Sequence, residues 1–428
     1  MVGCRLNQSE IDAMARGFEQ RGYRVSDDPA QANLHIVNTC AVTTQAARSS
    51  RKLIRDLQRA NPQADLTVTG CYAQIAPDEI RQLGGVARVI DNHGKDTLVE
   101  HLTGISAQPF DAEPVSREAR IGRTRAFVKV QDGCDNACTF CITTVARGEG
   151  RSHPLADIIA EIRFLHEHGG YQEAVLTGVH LGSYGHDLGQ ADGLYALVRA
   201  ILRETAIPRL RLSSLEPWDL SDAFFSLWDD PRLCLHLHLP LQSGCDRTLK
   251  RMARRTTQQD FRALVAAART AAPDIRITSD LIVGFPGETD AEFAESAAFV
   301  ESLDFAGLHV FPYSLRQGTP AARLRGQVAD AVKKARAARM LALSAEQERR
   351  YGQRYAGQIR PVLWENIAGV AEDGFLNVGY TDNYVRVKCT HPRALTNLIT
   401  AARLDVYDGD AQVMHVTPLL DDRIQPRT

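Results

Sequence analysis

Several absences narrow the field before any motif is read. No run in these 428 residues approaches the roughly 20 consecutive apolar residues of a membrane-spanning helix. The N-terminus has no charged-then-apolar leader pattern, so a soluble, cytoplasmic protein without a membrane partner is expected. Neither sign of charge is in excess: 50 Lys and Arg stand against 52 Asp and Glu, a net −2. Contact with nucleic acid must therefore come from a local basic surface. Internal repeats and low-complexity tracts are missing, and 44% hydrophobic with 24% charged residues is ordinary globular composition. Collagen-like, disordered and disulfide-scaffold chains are excluded. The length implies two or three domains, since single cores seldom grow past about 250–300 residues. What is present is cysteine. Nine of them, an odd number in a chain of this size, are unlike a secreted disulfide framework and point to metal ligation or catalysis.

Strand-like and helix-like patterns alternate over the first hundred residues, with strands expected at Leu34–Asn38, Leu66–Thr69 and Ala87–Ile90 and a basic helix from Thr43 to Arg59. Such alternation predicts βαβ units and a parallel sheet. Residues 103–122, with two prolines and mixed charge, read as a linker. From Phe127 six further strand candidates follow, at 127–130, 173–177, 210–213, 234–239, 275–283 and 307–311. Helices are expected between them, including one over Asp219–Asp229. Six strand–helix repeats predict an open, partial (β/α) barrel. A long amphipathic helix over Val328–Tyr355 leads to short strands in residues 358–418, a small all-β barrel. The fold class expected is α/β with that all-β appendix, divided as 1–103, a linker at 104–122, 123–355 and 356–420.

Cys134, Cys138 and Cys141 form a Cys-x3-Cys-x2-Cys cluster just after the first barrel strand. Three thiolates on one loop can ligate three irons of a [4Fe–4S] cube and leave the fourth open. The carboxyl end of a barrel strand is where active sites gather. A zinc site is the alternative, although structural zinc wants four ligands and no second cysteine pair is near. Cys4, Cys40 and Cys71 are each isolated. Taken singly, each is a small buried hydrophobe. Taken together, Cys40 and Cys71 follow strand candidates and Cys4 stands at what would be the end of a first strand, so all three would open on one carboxyl edge. They could hold a second cluster there. Cys234, Cys245 and Cys389 match no ligand pattern.

Cys134-x3-Cys138-x2-Cys141, with Phe140 before the last cysteine, resembles the radical S-adenosylmethionine (SAM) superfamily. That resemblance implies an open iron chelated by SAM and a 5′-deoxyadenosyl radical. The segments around Cys4 (Gly3–Glu10), Cys40 (Asn38–Thr43) and Cys71 (Thr69–Gln74) resemble the N-terminal domain of the methylthiotransferases. So do Ala146–Gly148, Leu176–Val179, Ser213–Pro217, His236–Gly244 and Asp280–Thr289 farther on. The wording around Cys4 and Cys40 is most similar to the branch acting on N6-threonylcarbamoyladenosine of tRNA. Isopentenyladenosine in tRNA and a ribosomal-protein aspartate are the alternatives, and a zinc-containing RNA-binding protein is the non-enzymatic one. The resemblance implies two [4Fe–4S] clusters, one on Cys134, Cys138 and Cys141 and an auxiliary one on Cys4, Cys40 and Cys71. It implies SAM as both methyl donor and radical source, and an external one-electron donor such as flavodoxin or ferredoxin. SAM or substrate contacts are expected at Thr177, Gly178, Ser213, Glu216 and Gly284, with Arg147 on the SAM carboxylate. Family members ordinarily have a full strand before the first cysteine; only Met1-Val2-Gly3 stand here, so a late start or a shortened chain is expected. Ile142-Thr143-Thr144 lacks a proline common after the cluster, and His180 stands where asparagine is common.

An RNA substrate has its own signal. Arg316, Arg323, Arg325, Lys333, Lys334, Arg336, Arg339, Arg349, Arg350, Arg354 and Arg360 are eleven bases against three acids, Asp330, Glu346 and Glu348. A basic stripe beside a small β-barrel that resembles the RNA-binding TRAM domain predicts phosphate contacts. Arg48, Arg51, Lys52, Arg55 and Arg59 would add a second patch. A solvated helix face is the plain alternative for either.

Overall fold

The computed structural model describes residues 1–106 and 124–420; the expected linker at 104–122 lies almost wholly outside them. The first unit comprises α1 (Arg5–Glu19), β1 (Leu34–Thr39), α2 (Thr44–Ala60), β2 (Asp65–Gly70), α3 (Cys71–Ile75), α4 (Pro77–Arg81), β3 (Val86–Val89) and α5 (Leu98–Thr103). Its strands pair in parallel in the order β1-β2-β3, with Thr39 opposite Gly70. Each helical crossover returns the chain to the same edge, which is what parallel pairing requires. Val37, Ile54, Leu66, Val68 and Ile80 form the core.

One expectation is corrected here, and one helix is added. No strand precedes Cys4 among the described residues. Cys4 is the N-cap residue of α1, and Val2 N–H donates to Asn38 O beside β1. The helix α1 is not among the expected elements. Its buried face mixes Asn7, Ser9 and Glu10 with Leu6, Met14 and Phe18, so polar side chains share the core side of the helix.

The second unit runs β4 (Arg125–Lys129), β5 (Gln131–Asp132), α6 (Thr143–Arg147), β6 (Arg151–Ser152), α7 (Leu155–Glu167), β7 (Glu173–Thr177), α8 (Gly193–Glu204), β8 (Arg209–Leu212), β9 (His236–His238), α9 (Asp246–Arg251), α10 (Gln258–Ala271), β10 (Arg276–Val283), α11 (Asp290–Ser302) and β11 (Leu308–Pro312). Two parallel sheets, β4-β7-β8 and β9-β10-β11, meet through a bridge between Ser214 and His238. Six strands in chain order make the open barrel. The expected helix over Asp219–Asp229 is instead two 3₁₀ turns, Pro217–Asp219 and Asp222–Asp229. Phe224 and Leu227, three apart and both buried, share a face at three residues per turn.

A long helix, α12 (Asp330–Gln353), leads to β12 (Ile359–Ala371), β13 (Gly374–Thr381), β14 (Arg386–His391), β15 (Ile399–Asp408) and β16 (Val413–Leu419), closed in the order β12-β13-β14-β16-β15. Trp364 is fully buried, with its indole N–H on Thr400 Oγ1 at 2.8 Å, so it packs the core and presents no stacking face. Tyr384 projects from this barrel into the floor of the open one. Its hydroxyl accepts from Arg125 Nη1 at 2.8 Å, and Arg211 lies 4.1 Å above its ring. The same floor holds Glu173 between Arg209 and Arg211. These three charges are buried, and each has an opposite partner, as burial demands.

Candidate active site

The triple-cysteine loop leaves β5 at Gly133, whose φ is +72° and where a Cβ would overlap the Glu149 carbonyl. Only glycine takes that conformation at no steric cost. The loop is pinned from three sides: Cys134 N–H to Gly148 O at 3.0 Å, Thr139 N–H to Met252 O at 3.0 Å, and Ala321 N–H to Thr139 O at 2.8 Å. All three thiols are partly exposed. Backbone N–H groups approach two of them, Asn136 N at 3.5 Å from Cys134 Sγ and Thr143 N at 3.4 Å from Cys141 Sγ. Burial pushes the Cys138 thiol up to about 11, against the pull of Arg254.

Arg254, which no sequence signal singled out, places Nη1 at 3.7 Å from Cys138 Sγ and Nη2 at 2.6 Å from Glu216 Oε2. Its guanidinium also lies 4.5 Å over the Trp218 ring. Ser213 Oγ, Trp218 Nε1 and Arg254 Nε are buried with no partner. Unfilled polar atoms beside the thiols are what a polar ligand would satisfy. His180 bonds Asp219 and lies against Cys134; although burial works against its charged form, these partners raise it to about 10.

The three upstream cysteines meet at the carboxyl edge of the β1-β2-β3 sheet. Cys40 follows β1 directly and Cys71 follows β2. A Cβ on Gly3 would stand 3.0 Å from that of Cys40, which brings the Cys4 turn against it. Gly70 makes the second close approach. Its φ is +96°, and a Cβ would overlap Thr39 O and the Asn38 amide oxygen. Burial pushes the Cys40 thiol up to about 11, and Cys71 and Cys4 add to the rise. Clustered thiols resist ionisation until a cation joins them; a bound metal reverses that.

One cation connects both cysteine groups. Arg147, 2% exposed, donates Nη1 to Glu10 Oε1 at 2.8 Å and to Asp132 Oδ1 at 2.9 Å, and Nη2 to Asn7 Oδ1 at 2.7 Å. Asn7 Oδ1 also lies 3.8 Å from Cys4 Sγ. Lys95 completes the knot on Glu10 Oε2 at 2.8 Å. Burial alone would raise the Glu10 carboxyl, but Arg147 and Lys95 hold it well below the usual range. The expectation that Arg147 faces a SAM carboxylate is therefore corrected: its guanidinium is occupied by two buried anions and an amide.

The other expected contacts divide. Glu216 is tied to Cys138 through Arg254, and Ser213, three residues before it, has its hydroxyl buried and unpartnered. The Thr177 hydroxyl is spent on Val128 O at 2.9 Å, and Gly178 is fitted against Gln131, where a Cβ would lie 2.9 Å from Oε1. Gly284 does not present a free face: its N–H goes to Glu288 Oε2 at 2.6 Å and Lys333 covers its Cα. Cys234, Cys245 and Cys389 are buried away from both groups.

The basic stripe is weaker in three dimensions than in sequence. Arg336 is buried on Glu288 and Asp290, Arg360 bonds Asp274 and Asp382, and Arg350 and Arg354 share Asp304. Acids distant in sequence neutralise it. On α2, by contrast, Arg48, Lys52 and Arg55 are exposed along one face, on the helix that opens just after Cys40.

Comparison with known proteins agrees with this layout. Residues 1–91 match the model of the Uncharacterized protein family UPF0004, and residues 128–300 match that of the Radical SAM superfamily. The chain is 37% identical over 399 residues to the threonylcarbamoyladenosine tRNA methylthiotransferase MtaB of Bacillus subtilis (strain 168), covering 90% of this chain and 88% of that one. The protein of the same name from Thermotoga maritima is 38% identical over 396 residues, 90% and 89% of the two chains. A tRNA-2-methylthio-N(6)-dimethylallyladenosine synthase of Acetivibrio thermocellus is 33% identical, covering 86% and 80%. Among solved structures, the radical S-adenosylmethionine methyltransferase TsrM of Kitasatospora setae superposes with a TM-score of 0.54 over 73% of this chain and 72% of that one. At 16% identity this is a likeness of fold.

Proposed function

The chain belongs to the radical SAM methylthiotransferases, and on that premise we propose that it converts N6-threonylcarbamoyladenosine of tRNA to its 2-methylthio derivative. One observation carries the reading: two groups of three cysteines, each at the carboxyl edge of a parallel sheet, are joined through the buried Arg147. Membership of the superfamily brings one [4Fe–4S] cluster and SAM with it. The donor set fits: Cys134, Cys138 and Cys141 are partly exposed on one pinned loop, with backbone N–H groups directed at two sulfurs. Cys4, Cys40 and Cys71 would hold a second, auxiliary cluster. When bound, these groups supply the one-electron and sulfur chemistry that an unactivated adenine C–H bond demands.

The protein's own residues do the rest. Arg254 lowers the cost of negative charge at Cys138 and orients Glu216. Ser213, Trp218 and Arg254 offer unspent polar atoms to SAM. Thr177 and Gly178 shape the end of β7, and Arg147 holds the two cysteine edges in register. The exposed bases of α2 take tRNA phosphates beside the mouth of the site. Residues 1–103 carry the auxiliary site, 123–355 the SAM site, and 356–420 a TRAM-like RNA-binding module, with 104–122 as linker. An external one-electron donor such as flavodoxin or ferredoxin completes the cycle.

Nucleoside mass spectrometry of tRNA from a deletion strain tests the assignment. Loss of the 2-methylthio form of threonylcarbamoyladenosine, restored by the gene and not by its Cys134→Ala variant, is expected. Loss of the 2-methylthio form of isopentenyladenosine instead would move the protein to the other tRNA branch. An unchanged nucleoside profile would overturn a tRNA substrate.

A further inference from the structure

Outside both cysteine groups, three side chains on adjacent strands converge. His238 ends β9, Asp280 lies in β10 and His309 in β11. The register sets them side by side: Thr278 is opposite His238, and Asp280 is opposite His309. His238 Nε2 and His309 Nδ1 each stand 3.1 Å from the same oxygen, Asp280 Oδ1. One ligand atom from each residue lies within 4.8 Å of the others.

We propose that His238, Asp280 and His309 form a binding site for a divalent transition-metal ion, separate from the iron–sulfur ligands. Two imidazole nitrogens and one carboxylate are a donor set suited to first-row divalent ions. Ligand atoms of a tetrahedral zinc site with bonds of about 2.0–2.1 Å stand about 3.3 Å apart, close to the two 3.1 Å separations. Both nitrogens converge on one oxygen and do not divide between two, so the three donor atoms form one compact group. The support behind His238 is of the kind metal-bound histidines use. Its Nδ1 lies 2.9 Å from Thr278 Oγ1, and Thr278 Oγ1 lies 3.3 Å from His236 Nε2. His309 is 66% exposed in its side chain, so an ion reaches the site from solvent and keeps a coordination position open. The site stands whichever nucleoside the enzyme modifies.

The test uses the full-length protein with its iron–sulfur clusters reconstituted, equilibrated with Zn²⁺ and then freed of loosely held metal. Zinc and iron are counted on the same sample, and the zinc is examined by X-ray absorption. One zinc per chain is expected above the iron, with a nitrogen and oxygen shell near about 2.0–2.1 Å and no sulfur at about 2.3 Å. His309→Ala and Asp280→Asn should each weaken zinc binding at least tenfold and leave the iron count unchanged. The exposed position of His309 makes its variant safe for folding, and it decides the matter if Asp280→Asn loses iron. No zinc above the iron, a sulfur shell, or equal zinc affinity in His309→Ala would overturn the proposal and leave a hydrogen-bonded His–Asp–His row.

Discussion

Replacing Arg147 with methionine tests the claim that one buried cation holds the two cysteine-bearing edges together. The substitution keeps much of the side-chain volume but removes the donors to Glu10, Asp132 and Asn7. Glu10 and Asp132 are buried, and breaking a buried pair by removing one partner costs about 3–5 kcal/mol. Lys95 and Lys129 remain on Glu10, so the lower end, about 3 kcal/mol, is expected. For a unit of this size that lowers the melting temperature by on the order of 10 °C. The pH dependence follows from the depressed Glu10 and Asp132 carboxyls. Their stabilisation is present above the ordinary carboxylate range near 4 and is lost as pH falls through the lowered folded-state values. In Arg147→Met those values rise, so the gap between wild type and variant is full at pH 7 and narrows below about pH 4. Adding Glu10→Gln should recover part of the loss, because it removes one of the two carboxylates left without Arg147. The assay is differential scanning calorimetry of the reconstituted protein at pH 7 and at about pH 3. A variant within 2 °C of wild type at pH 7, on a scale where about 1 kcal/mol shifts the melting point by roughly 2–4 °C, would refute the argument. So would strict additivity with Glu10→Gln.

Cys4→Ala should lower iron after anaerobic reconstitution from about eight per chain to about four. Gly70→Ala should do the same without touching a ligand, because its Cβ collides with Thr39 and Asn38 at the turn that presents Cys71; eight irons in Gly70→Ala would show that the turn is not needed. Changing Arg48, Lys52 and Arg55 together to glutamine should weaken tRNA binding and reduce its salt slope by about 2–3, close to one unit for each phosphate no longer neutralised. An unchanged slope in filter binding would place the phosphates elsewhere.

The parallel sheet, the six barrel strands and the small β-barrel are legible in the sequence because their strands are short, largely apolar runs set between helical stretches or turns, as in Glu173–Thr177 and Leu34–Thr39. Where polar residues are buried, the pattern does not say what they do. The helix bearing Asn7, Ser9 and Glu10 buries them beside its apolar residues, and Asn7 and Glu10 are the residues that grip Arg147. A guanidinium beside a cysteine loop points to a ligand when two of its three partners lie more than a hundred positions away, which is why Arg147 reads as a SAM contact from sequence alone. The basic stripe misleads for the same reason: Asp274, Asp304 and Asp382 lie outside it or beyond its helix in the chain and are adjacent to it in space.

By itself, then, the sequence determined what local order can encode: the cysteine spacing on one loop, the strand–helix alternation that sends each strand's carboxyl end to one edge, and the glycines that permit the turns at 70 and 133. Only the tertiary structure decided which charges face each other. It placed Arg254 beside Cys138, committed Arg147 to Glu10 and Asp132, and aligned His238, Asp280 and His309 on neighbouring strands. Backbone periodicity is a property of a few consecutive residues, whereas Coulombic and hydrogen-bond partners are set by distance in space. A linear reading has no access to that distance until the chain has closed its sheets.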